Sequence, residues 1–239
     1  MSLASILKRD VKNREALVAQ SEALLSVWRR ELARAPKPAQ VDHSKPVPRN
    51  GVDYAYGRPA PKMLREAGVT FVCRYLSSES KGLGKGEAAD LSAANIDIVT
   101  VYEQFSLRAL HAYDAGVQDA VQARKLLADV DAPKGAVAFF AVDFDAVPVQ
   151  LDRIVEYVRG ATDHLGWDRV GIYGGLLAVN HVLALNACKY GWQTYAWSGT
   201  PARWCSRAQL RQTENGVHVA GIEVDLDTAV AADFGAWRV

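Results

Sequence analysis

The sequence predicts an α/β fold: a TIM-like barrel of five β/α units closed by three further strands, with a separate N-terminal helix. Strand-like and helical runs alternate from residue 51 to residue 187, an order that is typical of a parallel sheet. The strand-like runs number eight, which is enough to close a barrel. Only residues 214–221 separate the last two runs, and this stretch is too short for a helical crossover between parallel strands. An open doubly wound sheet is the alternative arrangement of the same runs.

The chain divides into three segments. Residues 1–34 carry an apolar stripe at helical spacing, with Lys, Arg and Glu on the other faces, which predicts an amphipathic helix. Residues 35–50 contain four prolines and almost no large apolar side chains, which is typical of an extended linker. Residues 51–239 hold the predicted barrel. Because one helix cannot bury its own stripe, the N-terminal helix either packs on the barrel or serves in docking or oligomerisation.

The elements of the barrel follow from the alternation of runs. Strand-like runs cover residues 51–55, 70–76, 97–103, 136–145, 169–175, 192–198, 208–213 and 222–228. Helical runs cover residues 61–68, 87–95, 114–130, 151–166 and 176–187. A helical run therefore follows each of the first five strands and none of the last three. The short link before the last run predicts an antiparallel hairpin, so the eighth strand should begin where the parallel strands end.

Composition narrows the class of partner. The chain has 239 residues, of which 49% are hydrophobic, so it can form a sizeable core. Its formal net charge of +1 gives no case for nucleic acid or an anionic membrane as a partner. No apolar run is long enough for a membrane helix, and the first residues do not have the pattern of a signal peptide. The cysteines, Cys73, Cys188 and Cys205, are odd in number and widely spaced, which favours buried free thiols.

Acidic residues cluster at the predicted working face of the barrel, the carboxyl ends of its parallel strands. Asp53 lies near the end of the first strand, Glu103 ends the third, and Asp143 and Asp145 end the fourth. An antiparallel eighth strand would bring Asp225 to the same rim. Asp143 and Asp145 would share one face of a strand, where repulsion and burial raise the pKa of at least one carboxyl. Because repulsion and burial make this pair of aspartates energetically costly, we expect that the protein uses it for its function.

Aromatic residues accompany these carboxyl groups. Tyr75, Tyr102, Tyr173 and Trp197 fall on the second, third, fifth and sixth strands, and Gln212 lies on the seventh. Sugar rings stack their apolar faces on aromatic side chains, and their hydroxyl groups hydrogen-bond to carboxylates. Cleavage of a glycosidic bond needs one protonated carboxyl and a second carboxylate, so the set favours a carbohydrate-active site.

Other uses of the same residues remain open at this point. Asp143, Asp145 and Asp225 could bind Mg²⁺ or Ca²⁺ through oxygen, although we predict neither a metal nor a cofactor. The histidines lack zinc-ligand spacing, and the "GIYGG" run lacks the order of a phosphate-binding loop. In purely structural interpretations, Asp53 caps a turn, Glu103 is a solvated strand end, and Asp225 accepts a backbone amide in the hairpin.

A set of ordered motifs runs through the barrel: "GVDYA", "RYL", "VYE", "FFAVDFD", "GIYGG", "YAW", "LRQT" and "GIEVDLDTA". In this order they resemble the glycoside-hydrolase-like domain of unknown function found in actinobacterial and phage proteins, which is related to the family-25 lysozymes. The resemblance covers roughly residues 50–237. It implies a barrel that acts on peptidoglycan, since the family-25 lysozymes are N-acetylmuramidases.

The resemblance also implies roles for individual residues. Asp53 corresponds to the aspartate that ends the first strand of the lysozymes, and Asp225 to the acid on their final strand. Asp143 and Asp145 correspond to their Asp-x-Glu motif, in which the glutamate is the proton donor. This chain has aspartate at that second position, one methylene shorter than glutamate. Tyr102 and Tyr173 correspond to tyrosines that line the substrate groove.

Two functions are therefore expected. The first is a peptidoglycan-directed glycoside hydrolase of phage-lysin, muramidase type, with Tyr75, Tyr102, Glu103, Tyr173, Trp197 and Gln212 binding substrate. The alternative is a catalytically lapsed carbohydrate-binding or structural module of a phage virion, in which the N-terminal helix contacts a phage structural protein. In either case we expect synthesis in the host cytoplasm and action at the cell wall, after release or as part of a virion.

Overall fold

A computed structural model of the protein describes residues 48–239. The predicted N-terminal helix, residues 1–34, and the predicted linker up to residue 47 lie outside the described residues. Among the helices between residues 48 and 239, none combines the length and the apolar character that crossing a bilayer requires.

Eight strands form a closed barrel in chain order, as the sequence predicts. Each strand from the first to the sixth pairs in parallel with the next, and the eighth is antiparallel to both of its neighbours, the seventh and the first. The strands are β1 (Arg49–Asp53), β2 (Phe71–Leu76), β3 (Asp97–Tyr102), β4 (Ala138–Val142), β5 (Val170–Gly174), β6 (Tyr190–Thr194), β7 (Leu210–Val219) and β8 (Ile222–Ala229). The predicted antiparallel hairpin of the last two strands is confirmed.

One helix follows each of the first five strands, which confirms the five β/α units. The helices are α1 (Pro61–Glu66), α2 (Lys85–Ala93), α3 (Ala112–Asp129), α4 (Leu151–Leu165) and α5 (Leu176–Ala184). Short 3₁₀ helices at Arg108–His111, Pro148–Gln150 and Trp167–Arg169 precede α3, α4 and β5.

Some strand boundaries differ from the sequence-based prediction. The first strand begins at Arg49, within the stretch predicted as linker, because residues 49–53 pair with β8. The fourth strand ends at Val142, whereas the prediction continued it to residue 145. The sixth covers residues 190–194, so residues 195–198 lie beyond its end. The last two differences change where two predicted site residues lie.

The strands separate two apolar layers, because alternate side chains point to opposite faces. One face packs against the helices and includes Val72, Ile98 and Phe140. The other fills the barrel interior, with Cys73, Val101, Phe139, Trp192 and Leu210 among its members. Residues two positions further along the same inward face reach the carboxyl ends of the strands.

Aromatic rings close the end of the barrel at which the parallel strands begin. Phe234, from the segment after β8, packs on Phe71 with ring centroids 5.0 Å apart. Gly51 leaves room for Phe71, since a Cβ there would lie 2.2 Å from the ring. Gly171 does the same for Phe139, where a Cβ would lie 2.4 Å from the ring. Aromatic rings therefore fill the barrel interior at its amino end, and the cavity described below lies at the carboxyl end.

Candidate active site

The inward-facing residues at the carboxyl ends of the strands surround a cavity of about 240 Å³, called here the mouth. The predicted site residues that line it are Asp53, Tyr75, Glu103, Asp143, Tyr173, Gln212 and Asp225. Each comes from a different strand or from the residue that follows one, as strand alternation predicts. The structure thus brings together seven of the ten predicted site residues.

Gln212 links the acidic residues on the β1–β8 side of the mouth. Its Nε2 donates to Asp53 Oδ2 at 2.8 Å and to Asp225 Oδ2 at 3.2 Å. Its Oε1 accepts a hydrogen bond of 3.0 Å from the Tyr173 hydroxyl, which fixes the orientation of the amide. Gly216 N donates to Asp225 Oδ1 at 3.0 Å, so the interpretation of Asp225 as acceptor of a hairpin amide also holds.

Burial and charge act together on Asp53. Burial, and after it the carboxylate of Asp225, raise the pKa of Asp53 to about 7. Hydrogen bonds from Gln212 and Asp227 and the charge of Arg74 oppose the rise. Because carboxyl groups in water titrate near pH 4, Asp53 keeps its proton in a range where an exposed aspartate would have lost it.

Asp143 and Glu103 occupy the β3–β4 side of the mouth. Burial, followed by the neighbouring Glu103 carboxylate, raises the pKa of Asp143, and Lys81 opposes that rise. Lys81 Nζ lies 3.4 Å from Glu103 Oε2 and 4.6 Å from the centre of the Tyr75 ring. The sequence predicts that repulsion between Asp143 and Asp145 raises the pKa of at least one of them. In the structure the carboxylate that repels Asp143 is that of Glu103.

Two tyrosine rings form walls of the mouth. After burial, the carboxylates of Glu103, Asp53, Asp143 and Asp225 all raise the pKa of Tyr75, so its ring lies within electrostatic range of every acid in the mouth. The ring centroid of Tyr173 lies 4.7 Å from that of Trp192. The rings of Tyr75 and Tyr173 thus lie near carboxyl groups, an arrangement that suits the apolar faces and the hydroxyl groups of a sugar.

Three predicted residues do not line the mouth. Asp145 follows the end of β4, no longer obeys strand alternation, and is exposed. Tyr102 is buried on the outward face of β3 and lines a neighbouring cavity, because its neighbour Glu103 takes the inward position. Trp197 lies beyond β6 and is 39% exposed. The expected convergence of these three on the mouth is wrong, and their roles in function stay predictions.

The structure adds residues that the sequence-based prediction did not select. Cys73 and Trp192 line the mouth from β2 and β6. Asp227 lies two positions after Asp225 on the same face of β8 and is 2% exposed, and its Oδ1 accepts a 2.8 Å hydrogen bond from Trp192 Nε1. The alternation that identified Asp225 would have identified Asp227 as well.

The remaining expectations concern thiols and metal. Cys73, Cys188 and Cys205 are free and buried, as predicted. Between residues 48 and 239, no three His, Cys, Asp or Glu side chains are grouped in a way that could hold a metal ion. The alternative site built from Asp143, Asp145 and Asp225 therefore has no support in the described part of the chain.

Comparison with known proteins gives related sequences and structures. The chain is 29% identical over 199 residues to Rv2525c of Mycobacterium tuberculosis, provisionally named a peptidoglycan hydrolase, with 78% of this chain and 82% of that protein covered. A crystal structure of Rv2525c, a Tat-secreted protein, with L-tartrate superposes with a TM-score of 0.73 at 27% identity, covering 79% of this chain and 98% of that one.

Two more distant structures share the fold. A bacterial lysozyme from Streptomyces coelicolor has a TM-score of 0.54 at 12% identity, over 76% of this chain and 91% of that one. A family 25 glycosyl hydrolase from Bacillus anthracis has a TM-score of 0.51 at 16% identity, over 78% and 93%. At these identities the likeness shows a common barrel. The model of the Rv2525c-like, glycoside hydrolase-like domain matches residues 62–230, and the chain therefore belongs to that family.

Proposed function

We propose that the chain is a peptidoglycan-directed glycoside hydrolase in which Asp53 donates the proton and Asp143 is the charged partner. The observation that carries the proposal is the pairing of a carboxyl group whose pKa is about 7 with a second carboxyl group in the same mouth. A general acid is most effective when its pKa lies near the working pH. The provisional name of Rv2525c supplies the substrate class.

The proposed reaction uses the two carboxyl groups in turn. As the bond between the sugar carbon and the glycosidic oxygen breaks, Asp53 transfers its proton to the leaving oxygen. Asp143, ionised, stabilises the positive charge that develops on the sugar or activates the water that replaces the leaving group. That water supplies the hydroxyl of the new sugar end. Its second proton goes to Asp53 when Asp143 only stabilises charge; when Asp143 activates the water, it takes the proton, and exchange with solvent restores both groups.

Two further cavities support a polymeric substrate. One shares Asp53, Tyr75 and Asp225 with the mouth and extends to Tyr56, which is 67% exposed. The other shares Glu103 and extends past Lys81 to Arg108. A glycan strand that crosses the mouth would have space on both sides of the cleaved bond, which favours cleavage within a chain.

The bond and the place of action are finer parts of the proposal. The resemblance to the family-25 lysozymes favours the muramidase bond, and action at the cell wall follows from the substrate. A lapsed carbohydrate-binding module, of the kind that a virion could carry, is the second candidate. The observation that favours it is Asp145, a shorter acid at the donor position of the related lysozymes, with its side chain exposed.

The test is hydrolysis of purified peptidoglycan by the full chain. We expect new reducing ends in the soluble fraction, and mass analysis after borohydride reduction should show the reduced sugar to be N-acetylmuramic acid. Reduced N-acetylglucosamine at the new ends would support the proposed hydrolase activity and refute the proposed cleavage of the muramidase bond. Sedimentation with peptidoglycan without any release of ends would support the binding module, and absence of both binding and release would refute the substrate class.

A further inference from the structure

Asp227 lies beneath the mouth, surrounded by polar groups from five strands. It pairs with Gly51 across β1 and β8 and with Gln212 across β7 and β8, so its side chain points into the barrel beside those of Asp53 and Asp225. Its Oδ1 accepts from Trp192 on β6. Asp227 and the neighbouring Asp53 interact electrostatically with five further titratable or charged groups: Asp225, Cys73, Tyr75, Tyr173 and Arg74.

The two oxygens of Asp227 are in unequal surroundings. Oδ1 has the indole N–H at 2.8 Å, whereas Oδ2 is buried and, among residues 48–239, has no nitrogen or oxygen donor as partner. The thiol of Cys73, whose pKa is raised in part by a hydrogen bond to Asp227, is a weak donor. Once Asp53 is ionised and can no longer donate, an ionised Asp227 would leave that buried oxygen without a nitrogen or oxygen donor, at a considerable cost in free energy. A protonated oxygen needs no donor, because it is itself a donor and requires an acceptor.

Asp53 is the acceptor within reach. A direct hydrogen bond between the two carboxyl groups lowers the pKa of Asp53 and raises that of Asp227. Burial, and then the charge of Asp53, raise the pKa of Asp227 well above its ordinary range. Oδ1 of Asp227 already accepts from the indole, and an ionised Asp53 can only accept, so the proton of this hydrogen bond lies on Asp227 Oδ2.

We propose that Asp227 is a neutral carboxylic acid whose hydroxyl donates to Asp53, which makes it a positioning residue of the mouth. Its carbonyl oxygen accepts from Trp192, and its hydroxyl and the amide of Gln212 hold the carboxyl of Asp53 together. When Asp53 gives up its proton, both donors stabilise the resulting carboxylate. This last consequence rests on the proposed function, whereas the protonation state of Asp227 does not.

Infrared difference spectroscopy of the full chain tests the protonation state directly. At a pH about one unit above the pKa of Asp53, we expect the carbonyl band of a protonated carboxyl group in the wild type. The band should disappear in Asp227→Asn and persist in the matched variant Asp225→Asn. Absence of the band from the wild type, or its persistence in Asp227→Asn, would overturn the proposal.

The titration of Asp53 supplies a second readout that needs no activity. An asparagine at 227 can donate to Asp53 and accept from Trp192, so in Asp227→Asn the carboxyl carbon of Asp53 should titrate in NMR at the wild-type midpoint. Asp227→Ala, if it folds, removes the donor and should raise that midpoint. If Asp227 were an anion, Asp227→Asn would instead lower the midpoint by about one pH unit or more, which would refute the proposal.

The two proposals fail separately. A protein that shows the infrared band and the retained midpoint but releases no sugar ends from peptidoglycan keeps the Asp227 assignment and loses the proposed function. A protein that releases sugar ends but lacks the infrared band keeps the proposed function and loses the Asp227 assignment.

Discussion

On the β1–β8 side of the mouth, Asp53 and Asp225 share the amide of Gln212, and a backbone N–H completes the set at Asp225. On the β3–β4 side, Glu103 and Asp143 lie near the ammonium group of Lys81. One side thus holds its carboxyl groups mainly with neutral donors of fixed geometry, to which the charge of Arg74 adds a smaller effect, and the other with a cation that is 21% exposed.

This difference separates two ways to tune a carboxyl group. Hydrogen bonds from buried neutral donors depend on geometry and respond little to salt, whereas salt screens an ion pair to the extent that the pair is exposed. A residue that must release a proton at a fixed position benefits from the first arrangement. A carboxylate that must remain charged is favoured by the second. The predictions below test this division.

The largest expected effect is the loss of hydrolysis in Asp53→Asn. An asparagine keeps the shape of the side chain and can still accept from Gln212, but it has no proton to give. General acid catalysis contributes roughly 10²–10⁴-fold to a rate, and we expect a loss of that size in the release of reducing ends from peptidoglycan. Full activity in a folded Asp53→Asn would remove Asp53 from the proton-donor role.

The second effect is on stability against pH. Burial raises the pKa of Asp53 to about 7, so the native state binds more protons than the unfolded state between about pH 4 and about pH 7. The contribution of Asp53 to stability should therefore be greatest at the acidic end of this window and decrease as pH rises, with a slope approaching about 1.4 kcal/mol per pH unit for one proton. Asp53→Asn should reduce the slope.

Urea unfolding at a series of pH values measures that slope. Asp145→Asn is the matched control, because it makes the same substitution at an exposed residue that does not line the mouth. A slope that is equal in wild type and Asp53→Asn would show that Asp53 titrates alike in both states.

The smallest effect is expected on the β3–β4 side. Lys81 lowers the pKa of Asp143, so Lys81→Met should raise it, and NMR of the Asp143 carboxyl carbon measures the change. Added salt should raise the same pKa in the wild type and have less effect in Lys81→Met. The titration midpoint of Asp53 should be the same in the wild type and in Lys81→Met. A shift of that midpoint would show that the two sides of the mouth are coupled.

Alternation along strands explains how much of the site could be predicted from the sequence. Asp53, Glu103 and Asp225 follow from the position of each residue at the rim of a predicted strand. Tyr102 could have been excluded by the same rule, since Glu103 beside it occupies the inward face. Asp227 could have been included, because it repeats the position of Asp225 two residues later.

The remaining errors lie where strands end. Nothing in "AVDFDA" marks Val142 as the last residue of β4, so the prediction carried alternation through to Asp145. The same applies to Trp197, which lies beyond the end of β6. The end of a strand depends on pairing with neighbouring strands, which is set by the closed barrel and not by the local sequence. The fold was predictable because it depends on many such runs together.

The most direct measurement compares Asp143→Asn with Asp145→Asn, the same substitution made two residues apart, in the release of reducing ends from peptidoglycan. Circular dichroism and thermal unfolding would first establish that both variants are folded. With the chemistry inside the mouth, Asp143→Asn should lose most of the activity and Asp145→Asn should retain the wild-type rate. Loss of activity in Asp145→Asn with retention in Asp143→Asn would contradict the account and return the proton donor to the position that the resemblance to lysozymes implies.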